Sequence, residues 1–166
     1  MREEKFAINS IPAVLYGEPR DRLYLFVHGK CGCKEEGGAL AEIVCPKGWQ
    51  VLAIDLPEHG ERQGGKPGFD PWYIVPELRS VLAYARQHWE RIALRATSIG
   101  AWFSMQAFAG ELLEKALFVS PVLDMEKLIR NMMLWAGVDE ARLQAEQEIS
   151  TDFGEALSWR YLQFAR

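Results

Sequence analysis

The sequence has few cysteines and no long apolar run, and each shortage excludes a class of protein. Cys31, Cys33 and Cys45 are its only cysteines, so they cannot all pair with one another, and no apolar leader of the secretory kind precedes them. These features favour a reduced, cytoplasmic setting. No apolar stretch approaches the roughly 20 residues of a membrane-spanning helix. Cys31 and Cys33 could suggest a metal site, but no second Cys/His pair has ligand spacing. We therefore expect neither a metal nor another cofactor.

Basic charge is scarce as well. The chain carries 19 basic and 23 acidic residues, a formal net charge of −4, and it has no run of five basic residues. This balance argues against a protein that binds nucleic acid. Glycine and proline, with 14 and 8 copies, are too few to indicate disorder. A chain of 166 residues that is 49% hydrophobic instead favours one globular domain with its own core.

Apolar, β-rich segments alternate with amphipathic helical ones. A leading hairpin is predicted at residues 5–17, and helical spacing of apolar residues occupies 76–90 and 99–110. The remaining apolar runs are predicted strands at 23–29, 49–57, 91–96 and 115–121. Because these runs are apolar on both faces, they are typical of parallel strands covered on both sides. The order predicts an α/β protein: a three-layer α/β/α sandwich with a mostly parallel sheet.

Ser98 stands where such sheets bind ligands, after the carboxyl end of a predicted strand and before a helix. Its small neighbours Ala96 and Gly100 let the two backbones pass closely, which suits a serine nucleophile on a sharp turn. The backbone N–H of Ile99, at the positive end of the helix, would then face a developing oxyanion. The same spacing also fits a serine that only caps a helix. This segment alone leaves both interpretations open.

His28 and Gly29 end an earlier predicted strand, where a second oxyanion donor is expected. The candidate donor is the backbone N–H of Lys30, which comes close because Gly29 has no side chain. For His28 itself we favour a role in holding its own loop by hydrogen bonds over a role as general base.

Four segments, LYLFVHGK, VLAIDLPEHGER, RATSIGAWFSMQAF and ALFVSPVLD, together resemble the α/β-hydrolase family, and within it the single-domain esterase-, lipase- and aminopeptidase-like members. The resemblance covers roughly residues 5–124. It implies that Ser98 is the nucleophile and that Lys30 and Ile99 form the oxyanion hole. The supporting residues that it implies are His28, Gly29 and Gly100.

Two residues depart from the family's pattern. Ala96 stands where glycine is more usual, and Glu58 replaces the first glycine of the loop that usually reads Asp-x-x-Gly-x-Gly. That loop is mainly structural in the family, so Asp55 and His59 are expected to shape it rather than to act in catalysis.

No acid and base follow Ser98, although the family's chain order is serine, acid, histidine. His28, His59 and His88 all precede the serine. Three interpretations stay open: the chain is a fragment whose acid and base lie beyond Arg166, it is a natural protein without the triad, or an early histidine is the base. The first is favoured. Residues 1–124 are then the hydrolase core and 125–166, which show only helical patterns, a helical cap or lid.

Two functions of different classes fit these observations. One is a serine hydrolase scaffold that transfers an acyl group from a small-molecule ester, thioester or amide; the other is a non-catalytic module that binds a ligand or a partner. A nucleotide binder of the flavodoxin type is a distant third, because HGKCGC has too few small residues to hold a phosphate. Without a seventh strand, the sheet would expose an edge at Leu117, Phe118 and Val119, where we expect the chain to associate with a copy of itself or with a missing C-terminal segment.

Overall fold

The structure is a computed structural model that describes residues 1–166. The chain forms two compact units, Met1–Val122 and Leu123–Arg166. The first contains a six-stranded sheet in the order β1-β2-β4-β3-β5-β6. Its strands are β1 (Glu3–Ile8), β2 (Ile11–Tyr16), β3 (Arg22–Val27), β4 (Gln50–Ile54), β5 (Arg91–Thr97) and β6 (Lys115–Val119).

Four of these strands form the parallel part of the sheet. β3 pairs in parallel with β4 and β5, and β5 pairs in parallel with β6. The leading hairpin of β1 and β2 joins this part through an antiparallel pairing of β2 with β4. All five residues of β4 are buried, which explains why its sequence is apolar on both faces. The mostly parallel α/β sheet that the sequence predicts is confirmed.

Three helices complete the first unit: α1 (Gly37–Val44), α2 (Pro71–His88) and α3 (Ser98–Ala107). α1 packs on β4, while α3 packs on β5 and against α2. α2 begins before the predicted residue 76, because Pro71 takes a first-turn position whose fixed φ suits a helix start. Pro76, expected near the start, therefore lies inside the helix, where it removes one intrahelical hydrogen bond.

The second unit consists of α4 (Met125–Ala136), α5 (Glu140–Glu146), a hairpin of β7 (Glu148–Ser150) and β8 (Ala156–Ser158), and α6 (Trp159–Ala165). The prediction of helices alone for residues 125–166 is therefore wrong. In each of these short strands the middle residue is buried between two more exposed ones. That residue is Ile149 in β7 and Leu157 in β8, and alternation of this kind is typical of a strand. The role of this unit as a lid stays a prediction.

Two aspartates of this unit cap helices. The Asp124 carboxylate accepts a hydrogen bond of 2.8 Å from the backbone N–H of Lys127, at the start of α4. The Asp139 carboxylate accepts one of 2.8 Å from the N–H of Arg142, at the start of α5. Both therefore satisfy N–H groups that have no partner within their helix. No helix in the chain combines the length and the apolar character needed to cross a bilayer.

β6 is an edge strand of the six-stranded sheet, and its Leu117 side chain is 51% exposed. Because the free edge offers unpaired backbone groups to another chain, we predict self-association through residues 117–119. Sedimentation velocity at micromolar concentration should show a dimer or larger species. Leu117→Lys should shift it to monomer, since lysine protects natural edges. Leu112→Lys is the matched control, because Leu112 is 92% exposed and lies outside every strand. A monomeric wild-type chain would show the prediction to be wrong.

Candidate functional site

Ser98 occupies a strained turn between β5 and α3. The backbone of Thr97 is extended, with φ −120°, and the next residue, Ser98, has a left-handed φ of +51°. This conformation costs a residue with a β-carbon about 1–2 kcal/mol, and such strain concentrates at functional sites. No side chain caps α3 at this end. The helix-cap role that the sequence left open for Ser98 is therefore not seen.

The end of β3 touches the start of α3, and two glycines make this contact possible. A β-carbon at Gly100 would lie 2.1 Å from the carbonyl oxygen of His28, well inside van der Waals contact. A β-carbon at Gly29 would lie 3.2 Å from the β-carbon of Ser98. In the chain, Lys30 directly follows Gly29, and Ile99 lies between Ser98 and Gly100. The structure thus brings the sequence-predicted site residues of both loops together.

His28 is fully buried and uses both ring nitrogens. Its Nε2 accepts a hydrogen bond of 3.0 Å from the backbone N–H of Leu56, so Nδ1 carries the proton and donates to the carbonyl oxygen of Gly29 at 2.7 Å. Burial lowers the pKa of His28, which keeps the imidazole neutral. The ring therefore joins the loop after β3 to the loop after β4.

His59 makes the reciprocal connection. Its Nε2 accepts a hydrogen bond of 2.9 Å from the backbone N–H of Cys31, and its Nδ1 lies 2.8 Å from the carbonyl oxygen of Pro57. The ring also packs against His28 and Phe69, with centroids 5.2 and 4.6 Å away. Neither imidazole has a lone pair left for the Ser98 hydroxyl, so neither is placed to act as its base.

The third histidine, His88, is remote from Ser98. It ends α2 just before β5 begins, whereas Ser98 follows the other end of that seven-residue strand, about 20 Å away. It is exposed, and its Nδ1 lies 2.8 Å from the carbonyl oxygen of Tyr84. The interpretation in which an early histidine is the base therefore has no support in the geometry.

The carboxylate of Asp55, at the end of β4, holds the loop that carries Lys30. It is fully buried and accepts hydrogen bonds from the backbone N–H of Lys34 (2.8 Å), the Lys34 ammonium (2.7 Å) and the backbone N–H of Glu61 (3.0 Å). Gly60 has φ +53°, and a β-carbon there would lie 2.2 Å from the carboxylate. The loop therefore closes tightly around this one group.

Lys34 is the member of this cluster that sequence reasoning missed. Its side chain is 1% exposed and contacts Asp55 and Glu61 at 2.7 Å and Glu35 at 3.1 Å. Burial alone would lower the pKa of Lys34, but the hydrogen bonds to these three carboxylates outweigh it and raise the pKa. For Glu35, burial acts to raise the pKa, and hydrogen bonds led by that from Lys34 lower it to about 2. Nothing in the local pattern KCGCKEE marks this lysine as buried.

No group of three or more His, Cys, Asp or Glu side chains is arranged to hold a metal ion. Cys31 and Cys33, the pair that first invites a metal interpretation, are free thiols, as is Cys45. What the site offers chemically is a serine hydroxyl at the junction of β5 and α3, beside the loop that follows β3.

Lys34→Met should destabilise the fold by about 3–5 kcal/mol, because it leaves the Asp55 carboxylate buried without its cation. Urea unfolding measures the loss. Lys5→Met is the matched control: Lys5 also pairs with Glu35, but it is 55% exposed, and such pairs contribute about 1 kcal/mol or less. Equal losses in the two variants would contradict the role of the buried pair.

The free energy of unfolding should fall as the pH drops below 6.5, the ordinary pKa of histidine. Because the folded pKa of His28 is lowered, the unfolded chain binds a proton there that the folded chain does not, and stability therefore rises with pH in this window. One such proton gives a slope of up to about 1.4 kcal/mol per pH unit. Urea unfolding at several pH values should show a shallower slope for His28→Gln. His88→Gln, on the exposed end of α2, should keep the wild-type slope.

A scan of the sequence against protein-family models and a search of curated proteins find no match. Solved structures do match. Est1E from Butyrivibrio proteoclasticus, with ferulic acid bound, is similar over 98% of this chain and 70% of its own, at 20% identity and a TM-score of 0.71.

Two further solved structures show the same likeness. The esterase PF2001 of Pyrococcus furiosus matches over 86% of this chain and 59% of its own, at 16% identity and a TM-score of 0.63. An epoxide hydrolase of Vigna radiata, a mutant form, matches over 70% of this chain and 37% of its own, at 16% identity and a TM-score of 0.56. The chain thus spans less than two thirds of each of these two proteins. Their shared architecture identifies the scaffold: this chain has the α/β-hydrolase fold.

Proposed function

We propose that the chain is a serine hydrolase scaffold in which Ser98 carries the acyl group of an ester, thioester or amide. The observation that carries the proposal is the left-handed backbone of Ser98, held at the β5–α3 junction by the contact of Gly100 with the His28 carbonyl. Strain of this kind persists only where the surrounding structure enforces it. It places a serine at the carboxyl edge of the sheet, at the positive end of a helix.

In the proposed reaction, the Ser98 Oγ attacks the carbonyl carbon of the substrate as its proton passes to a base. The negative charge that develops on the carbonyl oxygen is stabilised by the backbone N–H groups of Lys30 and Ile99. The leaving group departs with the proton, and water then hydrolyses the ester formed at Ser98 by the same route. Loss of one such oxyanion donor costs about 10²–10³ in rate in a studied hydrolase.

We further propose that the base and its acid come from outside residues 1–166. His28 and His59 use both ring nitrogens within their loops, and His88 lies at the far end of β5. The Asp124 carboxylate, the first acid after β6, caps α4. By this proposal, these 166 residues alone hydrolyse activated esters weakly, at the roughly 10³–10⁴-fold over water that hydrolases retain without triad members.

The substrate class is a small acyl compound. Ferulic acid is bound in Est1E, so a small aromatic acyl ester is the first substrate to test on this chain. A cytoplasmic setting remains our prediction from the cysteines.

The alternative function is a non-catalytic module that binds a ligand or a partner with the same fold. The observation that favours it is the engagement of His28 and His59 away from Ser98. The two functions differ in one measurable property, the reactivity of the Ser98 hydroxyl.

A fluorophosphonate probe with added imidazole as a diffusible base tests this reactivity. We expect slow labelling of the chain that imidazole accelerates, because by this proposal Lys30 and Ile99 supply the oxyanion donors and only the base is missing. Ser98→Ala should abolish the labelling. Ser120→Ala should leave it unchanged. It is a matched control because Ser120, like Ser98, directly follows a strand and has a positive φ, +46°, and Ser120 is the more exposed of the two. Absence of labelling at Ser98 under all conditions would favour the binding module.

A further inference from the structure

The loop that follows β6 reaches back to Ser98. The backbone N–H of Val122 donates a hydrogen bond of 3.2 Å to the carbonyl oxygen of Ser98. β6 also pairs in parallel with β5, so the two strands end at the same edge of the sheet, with Val119 beside Thr97. Val122 is therefore held against the first residue of α3. Neither the serine chemistry nor the proposed oxyanion donors account for this contact.

The backbone of Ser120 turns the chain toward Ser98. Ser120 directly follows β6 and has a left-handed φ of +46°, which a residue with a β-carbon seldom adopts. Backbone strain of this kind concentrates at active sites and ligand clamps. Neighbouring strands thus each end in a strained serine, and the Val122 hydrogen bond joins the two turns. Because the turn is a backbone feature, Ser120→Ala preserves it.

The two loops that flank Ser98 differ in character. β5 lies between β3 and β6 in the sheet, so Ser98 has the loop after β3 on one side and the loop after β6 on the other. The β3 side carries Gly29, which contacts Ser98, and the proposed oxyanion donor of Lys30. The β6 side carries Pro121 and Val122, which are apolar and half-buried. A substrate carbonyl whose oxygen faces the β3 loop therefore directs its apolar substituent away from that loop and toward the β6 loop.

The Val122 side chain begins close to the reacting residue. Its nitrogen lies 3.2 Å from the Ser98 carbonyl oxygen, and Cα is one bond further, so Cα lies within about 5 Å of that oxygen. Valine carries two methyl groups on its β-carbon, and this branching restricts rotation about χ1. Such a side chain does not swing aside as a longer, unbranched one does. It therefore limits the width of the space beside Ser98.

We propose that Val122 is a specificity-determining residue that limits branching of the acyl group at the carbon next to its carbonyl. Linear and planar acyl groups fit between Val122 and the β3 loop, whereas an acyl group with an extra methyl at that carbon meets the Val122 methyl groups. The substrate class is thus an ester, thioester or amide of an unbranched acid. This role of Val122 rests on the proposed reaction of Ser98 and defines the shape of acyl group that the reaction accepts.

Two fluorophosphonates that differ by one methyl group test the role of Val122, with imidazole as the diffusible base. One carries an ethyl group on phosphorus and the other an isopropyl group, each in the position of the acyl chain. In the labelling step the Ser98 Oγ bonds to phosphorus, fluoride leaves, and imidazole takes the hydroxyl proton. The measured quantity is the ratio of the isopropyl to the ethyl labelling rate, in which any general loss of reactivity cancels.

Val122→Ala should raise this ratio at least about fivefold over the wild-type chain, because it removes the methyl groups that the isopropyl group meets. Val122→Ile should lower the ratio, because it adds a carbon to the same side chain. Val44→Ala is the matched control and should keep the wild-type ratio. Val44 ends α1, and its carbonyl oxygen accepts the N–H of Trp49, just before β4 begins. It thus lies at the other end of the parallel strands from Ser98.

A measurement on the wild-type chain needs no variant. After labelling with the ethyl probe, NMR should show nuclear Overhauser effects between the ethyl protons and the Val122 methyl groups, and none to the Val44 methyl groups. Such effects arise only between protons that are near neighbours, so they locate the acyl position directly.

The outcomes separate the role of Val122 from the proposed reaction. Absence of labelling at Ser98 in the wild-type chain and in every variant would contradict the reaction, and the role of Val122 with it. Labelling with one and the same ratio in the wild-type chain and both Val122 variants would overturn the role of Val122 alone. So would a ratio that responds to branching of the alkoxy group on phosphorus and not of the alkyl group, or the absence of ethyl contacts at Val122.

Discussion

The buried carboxylate of Asp55 is the contact on which the candidate site depends. It directly follows β4, and it receives three hydrogen bonds from the chain segments that follow β3 and β4. A carboxylate without exposure to water is costly unless it is paired and fully hydrogen-bonded. Lys34 meets that requirement, and its contact with Asp55 holds the loop after β3 against the loop after β4. The position of Lys30, and with it one proposed oxyanion donor, follows from this arrangement.

A second constraint is the close passage of the backbones of His28 and Gly100. His28 also contacts the loop that Asp55 begins, so it takes part in both constraints. Its carbonyl oxygen lies where a β-carbon of residue 100 would be, so only glycine is accommodated there. Its ring meanwhile accepts the N–H of Leu56, in the loop that Asp55 begins. His28 therefore packs against the strained turn at Ser98 and also connects the loop after β3 to the loop after β4. This is the arrangement by which a fold holds a serine in a conformation that it would otherwise avoid.

The same contacts explain why these histidines are unsuited to base catalysis. A general base needs a free lone pair within hydrogen-bond reach of the hydroxyl, and the rings of His28 and His59 give theirs to backbone N–H groups. Their packing against each other and against Phe69 strengthens the loops instead. The proposed chemistry of Ser98 therefore needs a base other than these two rings.

Local patterns determined much of this protein. Continuous apolar runs predicted β3 to β6, and the small residues around Ser98 predicted a serine between a strand and a helix. The same patterns failed where short elements carry weak periodicity. Residues 148–158 form a hairpin rather than a helix, since three-residue strands with one buried side chain each are too short to show alternation in the sequence.

Only the tertiary structure decided which residues hold the site. Lys34 and Asp55 are 21 residues apart, and Cys31 and His59 are 28 apart, so no local period links them. They meet because β3 and β4 are neighbours in the sheet, which brings the loops at their carboxyl ends face to face. The same holds for the aromatic rings under Arg95 and Lys115, which come from β3 and from Trp49 beside β4. The amino-acid pattern therefore determines each element and its chemistry, whereas the partners of a buried charge or ring are set by the order in which the strands assemble.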